Sequence, residues 1–264
     1  MYLQLRRRLQ NIIYRIPAII SLGFILLLWY LLSATEVVPS YTLPSPKDVL
    51  SAFIEDYDLI IKHSKVTLTE AFYGLFIGIG IAFVIATIMD RWSFMHKAFY
   101  PLMIITQTIP TIAIAPLLVL WMGFEMEPKI TLVAITTFFP IAVGLLDGYK
   151  SVDKDYIDLM NSLGASRMRI FTSVKLPMAL PHFFSGLKVS TSYAVVGAVI
   201  SEWLGGFEGL GVYMTRVKKA YAFDRMFAVI ILIVVISLLL MSLVDVIKKI
   251  SMPWITAERR SEKE

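Results

Sequence analysis

Polar and titratable residues set inside long apolar runs are where this 264-residue chain could do chemistry. In the run from Ala98 to Gly123, Gln107, Thr108 and Thr111 flank Pro110. That proline and Pro116 remove backbone donors and should kink or break a helix. Polar groups at membrane depth face protein or water rather than lipid. These three therefore either line a solute path or satisfy the carbonyls that proline frees. Tyr193 follows Ser190, Thr191 and Ser192 and is another path candidate, although hydroxyls on membrane helices also bond one helix to the next. Glu70 and Glu202 are acids placed toward one boundary of their runs, within reach of headgroups. Glu202 precedes a glycine-rich turn and joins the path candidates; its plainer reading is a helix-end charge. Lys188 should snorkel to the opposite boundary. No cysteine is present, and His63, His96 and His182 lie far apart, so neither a disulfide framework nor a metal site is expected. No G-x-x-x-x-G-K-[S/T] loop occurs, and no nucleophile–base–acid set is visible. The chain should bind no cofactor and catalyse no reaction.

The elements that carry these residues are apolar blocks. The chain is 57% hydrophobic and 17% charged, against about 25% charged in soluble domains. Six blocks, Ile16 to Ala34, Val66 to Met89, Ala98 to Gly123, Ile130 to Leu146, Phe183 to Leu204 and Met226 to Val244, approach the roughly 20 residues that cross a bilayer as a helix. An all-α, six-span membrane protein is expected. With both termini inside, sixteen Lys/Arg fall on the cytoplasmic side and eight outside, the asymmetry that orients such chains. The net charge of +5 thus points to a membrane surface rather than nucleic acid. The first block resembles a signal peptide, but its length and the five blocks that follow favour an uncleaved helix. Gly74/Gly78 and Gly144/Gly148 allow close helix contact, within the subunit or across a dimer. Trp29, Trp121 and Trp203 are expected as anchors at the outer boundary. Arg216, Lys218 and Lys219 either face a partner or lie on the outer leaflet.

The segment 150–182 between the fourth and fifth blocks is long and patterned. Tyr156, Ile157, Met160 and Leu163 recur at helical spacing. Gly164 offers a bend, and Ser166 can cap a second short helix with Ile170, Phe171 and Val174 as its stripe. Pro177 and Pro181 should end that element and set the entry to the fifth span. A docking knob and an amphipathic segment on the inner leaflet both fit this pattern.

Here the sequence resembles a family. Asp158-Leu-Met-Asn-Ser-Leu-Gly164, nine residues, then Val174-Lys-Leu176-Pro177 is similar to the E-A-A-x3-G-x9-I-x-L-P motif of binding-protein-dependent ABC importer permeases. Asp158 stands for Glu, Leu159 and Met160 for the alanines, and Val174 for Ile. Leu43-Pro44-Ser45-Pro46, the stretch Ile109 to Gly123 and the stretch Glu202 to Gly211 resemble the branch that imports nitrate, sulfonate, taurine and thiamine-pyrimidine precursors. The last stretch leans toward the pyrimidine permeases. The resemblance implies a type I importer transmembrane domain over 64–249, preceded by a tail, first helix and external loop (1–63) and followed by a cytoplasmic tail (250–264). It implies an ATPase-coupling site at Asp158, Met160, Leu163, Gly164, Ala165, Ser166, Arg167, Leu176 and Pro177. The implied partners are ABC ATPase subunits carrying ATP and Mg, a second permease copy (a homodimer), and an extracytoplasmic solute-binding protein. The implied setting is the bacterial inner membrane. A secondary transporter or channel without an ATPase is the competing function.

Overall fold

The computed structural model describes residues 2–35 and 37–253, with side-chain surroundings from residue 16 onward. Among the described residues all regular structure is helical. In chain order the elements are α1 (Tyr2–Ala34), α2 (Pro46–Glu55), α3 (Tyr57–Arg91), α4 (Ser93–Thr108), α5 (Thr111–Met122), α6 (Glu127–Lys150), α7 (Lys154–Ser162), α8 (Arg167–Ile170), α9 (Leu176–Gly205), α10 (Leu210–Lys219) and α11 (Phe223–Ser251).

Among the described residues five helical stretches are long and apolar enough to cross a membrane: Ile16–Ala34, Tyr57–Arg91, Glu127–Lys150, Arg167–Gly205 and Phe223–Ser251. The expected third span is instead two helices, α4 and α5, bent by 98° at Ile109 and Pro110. Both hinge residues are extended, with ψ of 121° and 124°. A residue before proline is driven out of the helical region, and proline has no N–H to continue the ladder. Pro116, by contrast, sits inside α5 without breaking it. The sixth span exists only if this bent pair counts as one crossing.

The chain divides into two units. In the first, comprising the chain to Asp58 and Arg216–Ile231, the Leu43–Pro46 stretch gains a physical role. Ser45 caps α2, its hydroxyl accepting from the Asp48 N–H while Asp48 reaches back to the Ser45 N–H, and Pro46 opens the helix. Trp29 Nε1 donates to the Pro44 carbonyl at 3.0 Å, and the Trp29 ring stacks on Phe227.

The second unit holds the main core. Its axis is α6, which packs most extensively on α9. The glycine pairs set these approaches. A Cβ on Gly74 would strike Val133, and one on Gly78 would strike Thr137, both on α6. A Cβ on Gly148 would lie 2.6 Å from Ala179 of α9, and one on Gly144 would meet the His182 carbonyl. Both G-x-x-x-G spacings therefore serve contacts within the chain. Ile141, Ala142, Leu145 and Leu146 of α6 pack with Ala82, Ala86 and Met89 of α3 and with Ala179, Phe184 and Leu187 of α9.

Pro177 and Pro181 do not end the short helix before the fifth span. Helical structure runs from Arg167 through a π turn at Phe171–Lys175 into α9, with Pro177 in its first turn and Pro181 inside it. The Leu176 N–H bonds the Phe171 carbonyl, five residues back. This wider register absorbs the disturbance just ahead of the donor that Pro177 lacks.

Candidate functional site

Three constellations have the geometry of a functional site. The first is the α7–α8 hairpin. Asp153 caps α7, its carboxylate accepting from the Asp155 N–H at 3.1 Å. At the other end the Gly164 N–H bonds the Asn161 carbonyl at 2.9 Å and the Ala165 N–H bonds the Met160 carbonyl at 3.0 Å. That nested pair is a Schellman closure, which needs a left-handed residue at its turn. Gly164 supplies it with φ of +73°. Ser166 then caps α8, accepting from the Arg169 N–H at 3.3 Å. One hairpin thus brings together Asp158, Met160, Leu163, Gly164, Ala165, Ser166 and Arg167. Leu176 and Pro177 lie beyond the π turn, half-buried at the start of α9.

The hairpin leaves large apolar side chains uncovered. Leu163 is 74% exposed and Met168 70%, with Tyr156 and Leu159 exposed beside them. Ile157 and Met160 are half-buried, and α7 has no buried residue. Ile170 is buried, and Phe171 packs its ring against Tyr149 of α6. Lys175 pairs with Asp90 at the end of α3, at 2.8 Å to each carboxylate oxygen. A mount tied to α3 and α6 therefore carries exposed apolar side chains on both α7 and α8.

The second constellation is a cavity of about 260 Å³ at the broken helix. Gln107 and Ile109 line it from the α4 side, Thr111 and Ile114 from α5, Thr136 from α6, and Tyr193, Val196 and Gly197 from α9. Three of the residues singled out in sequence, Gln107, Thr111 and Tyr193, meet here. Thr108 does not line the cavity. Its hydroxyl donates to the Ile105 carbonyl at 2.8 Å, one of the carbonyls that the end of α4 leaves without a helical partner.

The third constellation surrounds Glu202. Both acids read as near the headgroups are buried instead: Glu70 is 0% and Glu202 1% exposed. Helix packing decides this, because α3, α6 and α9 close around them. Glu202 accepts from the Thr67 hydroxyl at 2.7 Å and from the Gly211 N–H at 2.5 Å. The Thr67 oxygen takes the Leu210 N–H at 2.8 Å, and His63 Nδ1 takes the Gly209 N–H at 2.9 Å. Glu70 pairs with the buried Lys129 of α6 at 3.1 Å. Three consecutive backbone donors at the start of α10, which a helix N-terminus leaves without partners of its own, are thus held by side chains of α3 and α9. His63 is 2% exposed. His63, Thr67 and Lys129 were missed in the sequence. The signal was His63, Thr67 and Glu70 at intervals of four and three, one polar face on an otherwise apolar helix. Lys188, expected to snorkel, bonds Asp245 of α11 at 2.6 Å. No group of three or more His, Cys, Asp or Glu residues among the described residues could hold a metal ion.

This arrangement can be compared with known proteins. Residues 74–256 match the family described as the binding-protein-dependent transport system inner membrane component. The chain belongs to that family. It is 34% identical over 227 residues to a probable ABC transporter permease protein of Haemophilus influenzae, covering 86% of this chain and 93% of the relative. It is 32% identical over 231 residues to the formylaminopyrimidine transport permease protein ThiX of Halalkalibacterium halodurans, covering 87% and 92%. The second relative lies in the branch that the motifs pointed to. Among solved structures, the MetNI methionine ABC transporter in an inward-facing conformation superimposes with a TM-score of 0.66 at 19% identity, over 74% of this chain and 97% of that one. The fold is that of a type I ABC importer permease, and the chain is an ABC importer permease subunit, a multi-helix membrane component.

Proposed function

We propose that this permease forms the translocation path for a small solute across the bacterial inner membrane, with both termini cytoplasmic. A separate ATPase drives it by gripping the α7–α8 hairpin. The observation that carries this reading is the exposure of the apolar side chains Tyr156, Leu159, Leu163 and Met168 on a hairpin tied to the spans. A hairpin built only to lie in the leaflet needs no such mount, whereas a lever does. The rigid path runs from α8 through the π turn into α9, and the Lys175–Asp90 pair links it to α3. Asp158 and Arg167 bring charges of opposite sign to the hairpin and set its orientation on the partner. Gly164, Ala165 and Ser166 hold the turn. Leu176 and Pro177 pass the motion into α9.

The chain itself binds no cofactor; ATP and Mg belong to the partner. Two copies make the path, and an external binding protein delivers the solute. Pyrimidine precursors of thiamine lead the substrate classes, ahead of sulfonates, taurine and nitrate, in line with the relative named for formylaminopyrimidine. The test is purification in mild detergent with the partner ATPase co-expressed. Leu163→Asp should insert normally and lose the ATPase and solute uptake together, since truncating a docked apolar anchor removes about 2 kcal/mol or more. Wild-type uptake by Leu163→Asp with the ATPase retained would falsify the coupling role.

A further inference from the structure

The cavity at the α4–α5 break has a polarity that discriminates among solutes. Its lining carries hydroxyls, one amide, one phenol and aliphatic groups, and no charged side chain. Thr106 and Thr136 spend their hydroxyl protons on carbonyls of their own helices. Gln107, Thr111 and Tyr193 make no side-chain hydrogen bond among the described residues and are left facing the cavity. At the start of α5 the Ala113 N–H turns back to the Pro110 carbonyl at 2.9 Å, and the N–H groups of Thr111 and Ile112 before it have no acceptor within their helix. They bring roughly half an elementary positive charge to the rim. That favours a carbonyl oxygen or a ring nitrogen; it attracts an anion too, but a sulfonate or nitrate that sheds its water here finds no charged side chain to pair with. A void of about 150 Å³ holds a benzene ring, so 260 Å³ admits one substituted ring against Tyr193 and Ile114.

We infer that this cavity is a solute site selective for an uncharged, planar, hydrogen-bonding ring and closed to small oxyanions. Tyr193 stacks on the ring, and Gln107 and Thr111 pair with its edge. The inference rests on the importer reading only in placing the cavity on the solute path, and its test needs no ATP. The purified permease with its ATPase and without the external binding protein is dialysed against labelled formylaminopyrimidine, and separately against labelled ethanesulfonate. The complex should retain the pyrimidine and not the sulfonate. Tyr193→Ala and Gln107→Ala should each weaken retention about tenfold, while Tyr193→Phe, which keeps the ring face, should weaken it far less. Retention of ethanesulfonate as tight as that of the pyrimidine overturns the proposal. So does pyrimidine retention that is absent, or that is indifferent to both alanine substitutions. Failure of the importer reading has a different signature: solute uptake in cells that persists when the ATPase is inactivated, with the dialysis result unchanged.

Discussion

At Glu202 one carboxylate receives the Thr67 hydroxyl and the Gly211 N–H, while His63 and Thr67 receive the two preceding N–H groups. Each partner left unsatisfied in a buried site is destabilising by about 1–3 kcal/mol. Glu202→Ala strands two donors, so a loss of about 2–4 kcal/mol is expected. In a chain of this size that lowers Tm by roughly 5–15 °C, readable by thermal unfolding in detergent. Glu202→Gln keeps one good acceptor and should fall between. Gly209 makes a sharper comparison. Its φ is +120°, and a Cβ there would land on the Glu202 carboxylate. Gly123 also has a positive φ, +88°, but open space around it. Gly209→Ala should therefore unfold the turn at α10, whereas Gly123→Ala adds only backbone strain of about 1–3 kcal/mol. Equal losses from the two variants would show that the packing on Glu202 is unimportant.

Two elements deserve separate expectations because one is packed and the other is not. Leu163 on the hairpin is 74% exposed, while Ile141 on α6 is 0% exposed. Leu163→Asp should leave Tm within about 1 °C, since surface changes away from special features stay within ±0.5 kcal/mol. Ile141→Asp places an unpaired charge in the core and should abolish the folded monodisperse protein. At the hairpin turn, Gly164 has φ of +73° with nothing near the place a Cβ would occupy. The strain from substitution is then purely backbone. Gly164→Val should cost about 1–3 kcal/mol, and Gly164→Asn less, because asparagine tolerates the left-handed region. Circular dichroism of the two variants, read beside ATPase retention, separates loss of the bend from loss of an anchor.

For the whole molecule, the sixteen-to-eight division of Lys/Arg sets an expected topology. The chain has no cysteine, so single cysteines report sidedness directly. Ser51, an exposed residue on α2, should label from outside intact cells when replaced by cysteine. Ser261, which lies outside the described residues, should not. The opposite pattern inverts the chain. The G-x-x-x-G spacings no longer bear on subunit pairing, because α6 and α9 already occupy them. Cross-linking between two tagged copies of the chain remains the measure of a homodimer, and a product containing a different permease would point to a heterodimer.

Amphipathic and apolar periodicity is local, and so the long apolar helices, the break near Pro110, the bend at Gly164 and the cap at Ser166 were readable in the sequence, whereas α2 lay in a stretch read as an external loop. Each depends on a residue and its neighbours within about one turn: a missing N–H, a permitted φ, a hydroxyl at the right offset. The family motif was readable for the same reason, since the Schellman closure and the cap that follow Met160 fix its spacing. Burial was not readable, because it depends on which helices meet. Glu70 and Lys129 lie 59 positions apart, and their 3.1 Å pairing exists only because glycines bring α3 against α6. Gln107, Thr111 and Tyr193 carried the same polar signal as Thr108 and Glu202, yet the fold sends the first three to one cavity, Thr108 to a helix end and Glu202 to a buried turn. Polarity within an apolar run marks a group that must avoid lipid; only the packing of α4, α5, α6 and α9 decides whether it meets a carbonyl, a charge or an open space.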